Sequence, residues 1–281
     1  MNKRLRIRLT ASKVWEYIII LFAFLITIPL FAIIFYVLKT GLAKISWHFI
    51  TNIPQPVGEI GGGIANALVG SLLIVLVAAI IAVPVGILCG VYLSENKTSK
   101  LAYWSRLAVD VMQGTPSIVI GIVIYFWIVK PLGSFSAISG SIALAIMMLP
   151  IVIRSTEETL KLLPPALKEA GLALGLPYHK VIFRVIIPCG ISGILSGVML
   201  AVARIAGETA PLLFTAFGNP YLATNVLKPM QSLPLLIFNY ATSPYDEWHD
   251  LAWGASLILL MWVLLLNITT KLITRKWRIQ L

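Results

Sequence analysis

Six stretches of mainly apolar residues constrain the fold of this chain more than any other feature of its sequence. A helix of about 20 apolar residues can cross the ~30 Å hydrocarbon core of a bilayer. The chain is 59% hydrophobic and 12% charged, which is far from the composition of a soluble domain. The pattern predicts an all-α polytopic membrane protein with six transmembrane helices, at roughly Trp15–Leu38, Ala65–Leu93, Leu107–Val129, Gly140–Leu160, Ile191–Phe217 and Leu251–Leu272.

The first apolar stretch follows a basic segment, as in a secretory signal peptide. Its apolar run is too long for a signal peptide and no small-residue cleavage site follows, so we interpret it as a retained anchor. The chain then divides into a cytoplasmic N-terminus (1–14), an N-terminal transmembrane helix (15–38), an extracytoplasmic loop (39–64), a transmembrane domain (65–272) and a cytoplasmic tail (273–281).

Lysine and arginine are distributed unevenly between the two sides of the predicted membrane. If the N-terminus is cytoplasmic, sixteen of the 22 lie in cytoplasmic segments and four in outer loops, with Arg154 and Arg204 inside helices. This bias predicts that both termini are cytoplasmic. The net charge of +11 therefore reflects topology and contact with anionic lipid, and scattering over four segments argues against nucleic-acid binding.

Small residues and prolines indicate how the helices pack. Small residues four apart allow close approach of a neighbouring helix; they are Ala78, Ala82, Gly86 and Gly90 in the second helix, and Gly193 and Gly197 in the fifth. Proline removes a backbone donor. We therefore expect the second, third and fourth helices to bend or break at Pro84, Pro116 and Pro150.

The longest predicted cytoplasmic connection is 161–188, between the fourth and fifth helices. Prolines and Gly175 mark two short helices in it, the second of which we expect to end at Pro188. Each carries an apolar stripe, namely Ala166, Leu167, Ala170, Gly171 and Leu174, then Val181, Ile182, Val185 and Ile186. Two exposed apolar faces with no lipid to cover them predict a docking site for another protein.

This connection resembles the EAA loop of ABC importer membrane subunits. The similarity lies in Glu169-Ala170-Gly171, then Gly175, then Val185-Ile186-Ile187-Pro188. Gly171 replaces the usual alanine, and Val185 and Ile187 replace the usual isoleucine and leucine, so size and polarity are roughly kept. The resemblance implies that 161–188 is a coupling loop inserted into a groove of an ATP-binding subunit.

Further motifs, over about 61–272, resemble the phosphate-importing (Pst-type) permeases, and the later ones look most like the PstA subunit. They are Gly61–Ser71, Gly114–Val119, Leu149–Glu158, Arg204 with Gly207–Pro211, Ser232–Pro234, and Ser243–Tyr245 with Trp248. The resemblance implies the type I (MetI-like) ABC importer fold in a prokaryotic inner membrane. It also implies a second permease, two ATP-binding subunits and an extracytoplasmic phosphate-binding protein as partners.

Arg204 and Glu208 are charged residues inside a predicted membrane span. A charge at the bilayer centre costs about 2.5–3.5 kcal/mol on insertion scales, so such residues face protein or water. Helical spacing places both on the face of Gly197 and Ala201 and within reach of each other. Either Arg204, with Glu208 and Thr209, lines a phosphate pathway, or the pair is a salt bridge holding helices in register.

Polar residues in two other predicted helices have the same two interpretations. Arg154 has Glu157 and Glu158 at i+3 and i+4; both acids are expected at the membrane interface, and Asp110 is expected to be solvated. Thr115 and Ser117, beside Pro116, either donate hydroxyl hydrogen bonds to an anion or bond back to helix carbonyls.

No grouping typical of an enzyme occurs in the sequence. There is no nucleophile–base pair, phosphate-binding glycine-rich loop or Cys/His metal pattern, so we expect a non-catalytic permease without cofactor or metal, with ATP bound by its partner. Two alternatives remain open: a permease for sulfate or molybdate, and an ion-coupled secondary transporter.

Overall fold

The structure is a computed structural model that describes the backbone of residues 3–59 and 61–276 and the side chains of 12–59 and 61–272. Its helices are, in chain order, α1 (Lys3–Leu42), α2 (Trp47–Thr51), α3 (Ala65–Glu95), α4 (Lys100–Gly114), α5 (Ser117–Leu132), α6 (Ala137–Lys161), α7 (Pro165–Ala173), α8 (Tyr178–Ala206), α9 (Ala210–Leu213), α10 (Leu233–Ala241) and α11 (Asp246–Lys276). Within them, π-helical turns occupy Tyr125–Val129 and Ile182–Ile186.

Five of these helices are long and apolar enough to cross a membrane: α1, from Ser12, and α3, α6, α8 and α11. Helix α1 begins within the predicted N-terminal segment 1–14, of which residues 1 and 2 lie outside the described part. The predicted tail 273–281 starts as the end of α11, and 277–281 lie outside the described residues. The nearly all-helical, multi-span architecture confirms the predicted fold class.

The third predicted span, 107–129, is not one straight helix. Helices α4 and α5 are separated at Thr115 and Pro116 and meet at an angle of 104°; counted together, they make the sixth span. Proline disfavours helical backbone in the residue before it, and Thr115 is extended, with φ −76° and ψ 129°. The expected break at Pro116 is confirmed, whereas α3 and α6 continue through Pro84 and Pro150.

The fifth predicted span, 191–217, is wrong at both ends, because α8 starts at Tyr178 and stops at Ala206. Pro188 therefore lies inside α8 and does not end a separate short helix. The π-helical turn Ile182–Ile186 ends two residues before Pro188, and Ile187 donates its N–H to the carbonyl of Ile182. Such a turn re-routes the backbone hydrogen bonds where proline lacks a donor, so the helix continues.

Small residues bring α3 and α8 close to α6, as the sequence predicts. A Cβ atom on Gly90 would lie 2.5 Å from Cβ of Thr156, and one on Gly86 would lie 2.7 Å from Cγ1 of Val152. On the other side of α6, a Cβ on Gly193 would collide with the side chain of Thr159. Helix α6 is therefore the central helix, held between α3 and α8 at distances that larger residues do not allow.

The segment 218–250, predicted as an outer loop, contributes to a second, smaller core. Helix α10 buries its apolar side against α11, and Tyr240 stacks on Trp248 with ring centroids 4.6 Å apart. Phe238 and Tyr245 of the same loop are exposed. Helix α1 packs on α11 through Tyr36, whose ring meets Trp253 at 5.0 Å.

Candidate functional site

Arg204 lies in the last turn of α8, just before the chain leaves the helix. Gly207 caps the helix with its N–H bonded to the Arg204 carbonyl, and Pro211 starts the next short helix. A cation in the last helical turn is favoured by the helix dipole. Glu208 follows the end of α8, so the two charges are not a pair on one continuous helix as predicted.

The Arg204 side chain is 54% exposed, and its Nε lies 3.9 Å from Oε1 of Glu208. Within the described part of the chain, no other acidic side chain lies within the 4.0 Å limit of an ion pair. The buried face of α8 carries Gly197, Ala201 and Ile205 instead. Arg204 lies within about 20° of Gly197 around the helix and meets Pro150 and Ile151 of α6, but it is half exposed where Gly197 is buried.

Arg204 adjoins the break between α4 and α5. It lines a narrow pocket together with Gln113 and Thr115 from that break, and with Pro150 and Ile151 from α6. Non-helical backbone within a membrane is tolerated where it is buried in protein or lines a water-filled cavity. Two breaks in spanning helices, after Gly114 and after Ala206, thus meet at one arginine.

A larger groove of about 570 Å³ continues from this pocket between α6 and α8. The two share Gln113 and Ile151, and the volume falls within the range typical of small-molecule sites. Its polar lining comprises Gln113, Arg154, Ser155, Glu158, Thr159 and Ser196. The hydroxyl of Ser196 donates to the Ser192 carbonyl at 2.8 Å, within α8.

Arg154, unlike Arg204, is neutralised by two carboxylates. Its Nη2 pairs with Asp110 of α4, and its Nη1 lies 3.5 Å from Oε2 of Glu157. Asp110, expected to be solvated, is therefore a partner of α6. The i+4 neighbour, Glu158, is exposed and lines the groove without pairing with Arg154 in the described structure.

Glu157 is fully buried between packed helices. Arg106 Nε donates to Glu157 Oε1 at 2.7 Å, and Lys161 Nζ donates to the same oxygen at 2.6 Å. Arg106 also donates from Nη2 to the Leu93 carbonyl at 2.7 Å. This cluster ties together α3, α4 and α6. The sequence offered no signal for Arg106, because its partners are up to 51 residues away.

Three hydroxyl residues were predicted as candidates for the phosphate pathway: Thr115, Ser117 and Thr209. The structure gives them different surroundings. Thr115 donates to the Val111 carbonyl at 2.8 Å, the back-bond that the sequence allowed as one alternative, although it also lines the Arg204 pocket. Ser117 and Thr209 are half-buried at the starts of α5 and α9. Neither lines the pocket or the groove around the two arginines.

Comparison with known proteins identifies the family of this chain. A sequence model of the family described as "Binding-protein-dependent transport system inner membrane component" matches residues 82–279. The chain belongs to this family.

Named relatives extend the match to most of the chain. It is 44% identical to the phosphate transport system permease protein PstA of Yersinia pestis, over 87% of this chain and 83% of that protein. It is 38% identical to the probable phosphate transport system permease protein PstA of Methanocaldococcus jannaschii, over 92% of each chain. This binding-protein-dependent family consists of membrane permeases, so the chain is a multi-pass membrane protein.

Solved structures confirm the fold of this family. A chain of the MetNI methionine ABC transporter in an inward-facing conformation superposes with a TM-score of 0.66 at 16% identity, covering 77% of this chain and 96% of that one. An amino acid ABC transporter gives a TM-score of 0.55 at 20% identity over 76% and 92% of the two chains. The predicted type I, MetI-like fold is therefore confirmed.

The predicted coupling loop, 161–188, differs from expectation in its second half. Val181, Ile182 and Ile186 are buried in the main core, so the second apolar stripe is not a docking face. Pro188 is exposed but lies well inside α8. The tertiary structure uses these residues to start a spanning helix.

The first half of the coupling loop keeps an exposed surface. Gly175 ends the segment with φ +76°, and Gly171 packs against Val181, which a Cβ there would approach to 3.1 Å. Glu169 and Ala170 are exposed, and Leu174 is 82% exposed. Glu169 makes no ion pair or side-chain hydrogen bond with the residues that the structure describes, so its carboxylate is available to another chain.

Proposed function

We propose that this chain is the permease subunit of an ATP-driven ABC importer that translocates inorganic phosphate into the cell. The observation that carries the proposal is the identity with phosphate transport permeases across most of the chain, in relatives from both a bacterium and an archaeon. No sulfate or molybdate permease and no secondary transporter is among the relatives described above, and the family model is that of a binding-protein-dependent permease.

The geometry around Arg204 suits an anion. A guanidinium group offers two parallel N–H donors that match two oxygens of a phosphate. Arg204 is half exposed and only loosely paired, so these donors are available. Glu208 lowers the net attraction, and conduction requires an anion to leave as well as to bind. We assign Arg204 and Glu208 to the phosphate pathway.

The groove between α6 and α8 extends this pathway. Ser155, Thr159 and Ser196 line it with hydroxyl groups, and Arg154 contributes a cation that is already balanced. Thr115 lines the pocket beside Arg204. Ser117 and Thr209 are assigned to the pathway only by their proximity in sequence to Pro116 and Glu208. An anion moving along this groove would meet one available guanidinium, then hydroxyl groups, the balanced cation of Arg154 and the exposed carboxylate of Glu158.

The remaining subunits are proposed from the family. One of two ATP-binding subunits would dock on Glu169, Ala170 and the exposed apolar side of α7, with Gly171 and Gly175 shaping that segment and Pro188 within α8. ATP and Mg²⁺ would be bound by those subunits, so this chain would be non-catalytic and carry no cofactor. A second permease and an extracytoplasmic phosphate-binding protein would complete the importer, with both termini of this chain in the cytoplasm.

Uptake of radiolabelled phosphate and sulfate at micromolar concentration tests the proposal in cells that lack this chain. We expect phosphate uptake alone to be lost, and to return when the wild-type chain is supplied. Loss of sulfate uptake would replace phosphate by that oxyanion as substrate. Uptake that continues after ATP depletion, with no ATPase copurifying with the chain, would assign it to the secondary transporters.

A further inference from the structure

Three side chains connect the docking segment α7 to the end of α3. Nothing in the sequence indicates that these side chains come together. Lys168 of α7 and the hydroxyl of Tyr178, at the start of α8, both donate to the same oxygen, Oε2 of Glu95. The Lys168 ammonium also lies 3.5 Å from the Tyr178 oxygen and 4.8 Å from the centre of its ring. We call Glu95, Lys168 and Tyr178 the α3–α7 clasp.

The clasp is partly shielded from water, which gives it more weight than a surface ion pair. Glu95 is 17% exposed and Lys168 is 33% exposed. The hydrogen bond to Glu95 is the main cause that raises the pKa of the Lys168 ammonium, so the lysine stays charged at physiological pH. A charge-assisted hydrogen bond is about twice as strong as a neutral one.

The clasp connects the docking segment to the centre of the membrane domain. Helix α3 ends at Glu95 and packs tightly along α6, with Gly90 against Thr156 and Gly86 against Val152. Helix α6 carries Arg154 and one wall of the groove. Interfaces this closely packed move as a unit, because they have no space in which to deform.

Besides the clasp, α7 is joined to α6 by the three-residue connection 162–164 and to α8 by two features. Gly171 packs on Val181, and the turn at Gly175 joins the two helices directly. A displacement of α7 without the clasp would therefore reach the adjoining ends of α6 and α8 and leave α3 without a direct pull. The groove lies between α6 and α8, so the relative movement of these two helices sets its width.

We propose that Glu95 is a positioning residue that holds α7 on α3, so that displacement of α7 by its docking partner moves α3 and α6 together with α8. The inference rests on the proposed function, in which an ATP-binding subunit drives α7. The relevant quantity is the amount of phosphate transported per ATP hydrolysed, and loss of the clasp lowers it without removing the ATP-binding subunits.

The test uses the complete importer in proteoliposomes, with phosphate uptake, ATP hydrolysis and subunit composition measured on the same preparation. We expect Glu95→Gln and Lys168→Met each to lower the phosphate transported per ATP by about fivefold, the low end of the range for coupling between two sites. The double exchange Glu95→Lys with Lys168→Glu is expected to restore part of the ratio. The matched control is Lys100→Met, an exposed lysine at the start of α4 without an ion pair to the described residues.

Each contrary result has a separate meaning. A wild-type importer that takes up no phosphate would overturn the proposed function, and the inference with it. Normal phosphate uptake together with an unchanged ratio in both single variants would overturn the inference alone. So would a double exchange that behaves no better than the single variants, or loss of the ATP-binding subunits from Glu95→Gln complexes, since that would assign the carboxylate to assembly.

Discussion

Arg204 and Glu157 are both charged residues in spanning segments, and their surroundings are opposite. Arg204 is 54% exposed with one acidic neighbour at 3.9 Å. Glu157 is fully buried and accepts from Arg106 and Lys161, with Arg154 close by. The first site has an available charge at a helix break, and the second has charges satisfied by one another between packed helices.

This difference separates a site able to bind a ligand from one that stabilises the fold. In the Glu157 cluster, every charge has a partner within the chain, so a substrate would have to displace an existing ion pair. At Arg204, an anion competes within the described chain with one carboxylate, that of Glu208. The same spacing of Arg and Glu in the sequence, three or four residues apart, thus describes two different environments.

The largest expected effect is on stability, at Glu157. Glu157→Gln leaves Arg106 and Lys161 without a carboxylate, and breaking a buried ion pair costs about 3–5 kcal/mol. Unfolding of the purified chain in mixed micelles would measure the loss. Its exposed neighbour Glu158 supplies the control, since Glu158→Gln is expected to change stability by no more than about 0.5 kcal/mol. Equal effects of the two substitutions would contradict the distinction between the sites.

The reverse pattern is expected at Arg204, with transport lost and stability kept. A hydrogen bond to a charged group is worth about 1.5–3 kcal/mol, so Arg204→Gln is expected to lower phosphate uptake at low substrate about ten- to a hundredfold. Arg204→Lys keeps the charge but loses the two parallel donors. Its phosphate uptake should lie between those of the wild type and Arg204→Gln. A stability loss in Arg204→Gln as large as that in Glu157→Gln would assign Arg204 to the fold.

A packing substitution next to the groove sharpens the comparison by separating space from charge. In Gly197→Ala, the new Cβ would collide with the Ser155 hydroxyl oxygen, and overpacking of this kind costs about 1–3 kcal/mol. Helix α8 must move away from α6, so uptake should fall as well. A Cβ on Gly114 would have no neighbouring atom within 4 Å, and Gly114→Ala should leave unfolding unchanged. Unchanged stability and uptake in Gly197→Ala would show that α8 can shift away from α6 without loss of either.

The smallest effect is expected where a charged pair is exposed. Lys44, just after α1, and Asp250, in α11, form an ion pair of 2.6 Å with side chains 39% and 49% exposed. Exposed pairs contribute about 0–1 kcal/mol, so Lys44→Met should hardly change unfolding. Raising the salt concentration should remove most of the remaining difference between wild type and variant. A loss comparable to that at Glu157 would mean that exposure does not decide the strength of these pairs.

The sequence predicted the fold in places where a local pattern was sufficient. Helices α3 and α6 start and end within a few residues of the predicted spans, since apolar length determines a span in lipid. The close contacts of Gly86, Gly90, Gly193 and Gly197 with α6 were expected from their spacing. The break at Pro116 followed from the chemistry of proline.

The site was predicted less completely. Arg204 was identified because a charge in an apolar run is costly, but its exposure and the end of α8 at Ala206 were not foreseen. Arg106 and the clasp residues escaped notice, and Asp110 was expected to be solvated, because their partners lie far away in sequence. The apolar start of α8 was interpreted as a docking face, since an apolar stripe looks the same whether another protein or the chain's own core covers it.

The sequence by itself determined that the chain crosses a membrane several times, where most of its helices lie, and which family it resembles, because apolar length, small-residue spacing and short motifs are local properties. Only the tertiary structure decided which charges neutralise one another and that Arg204 remains available. That outcome depends on distances between helices that are remote in the chain, and an ion pair exists only where folding brings two charges within a few ångströms.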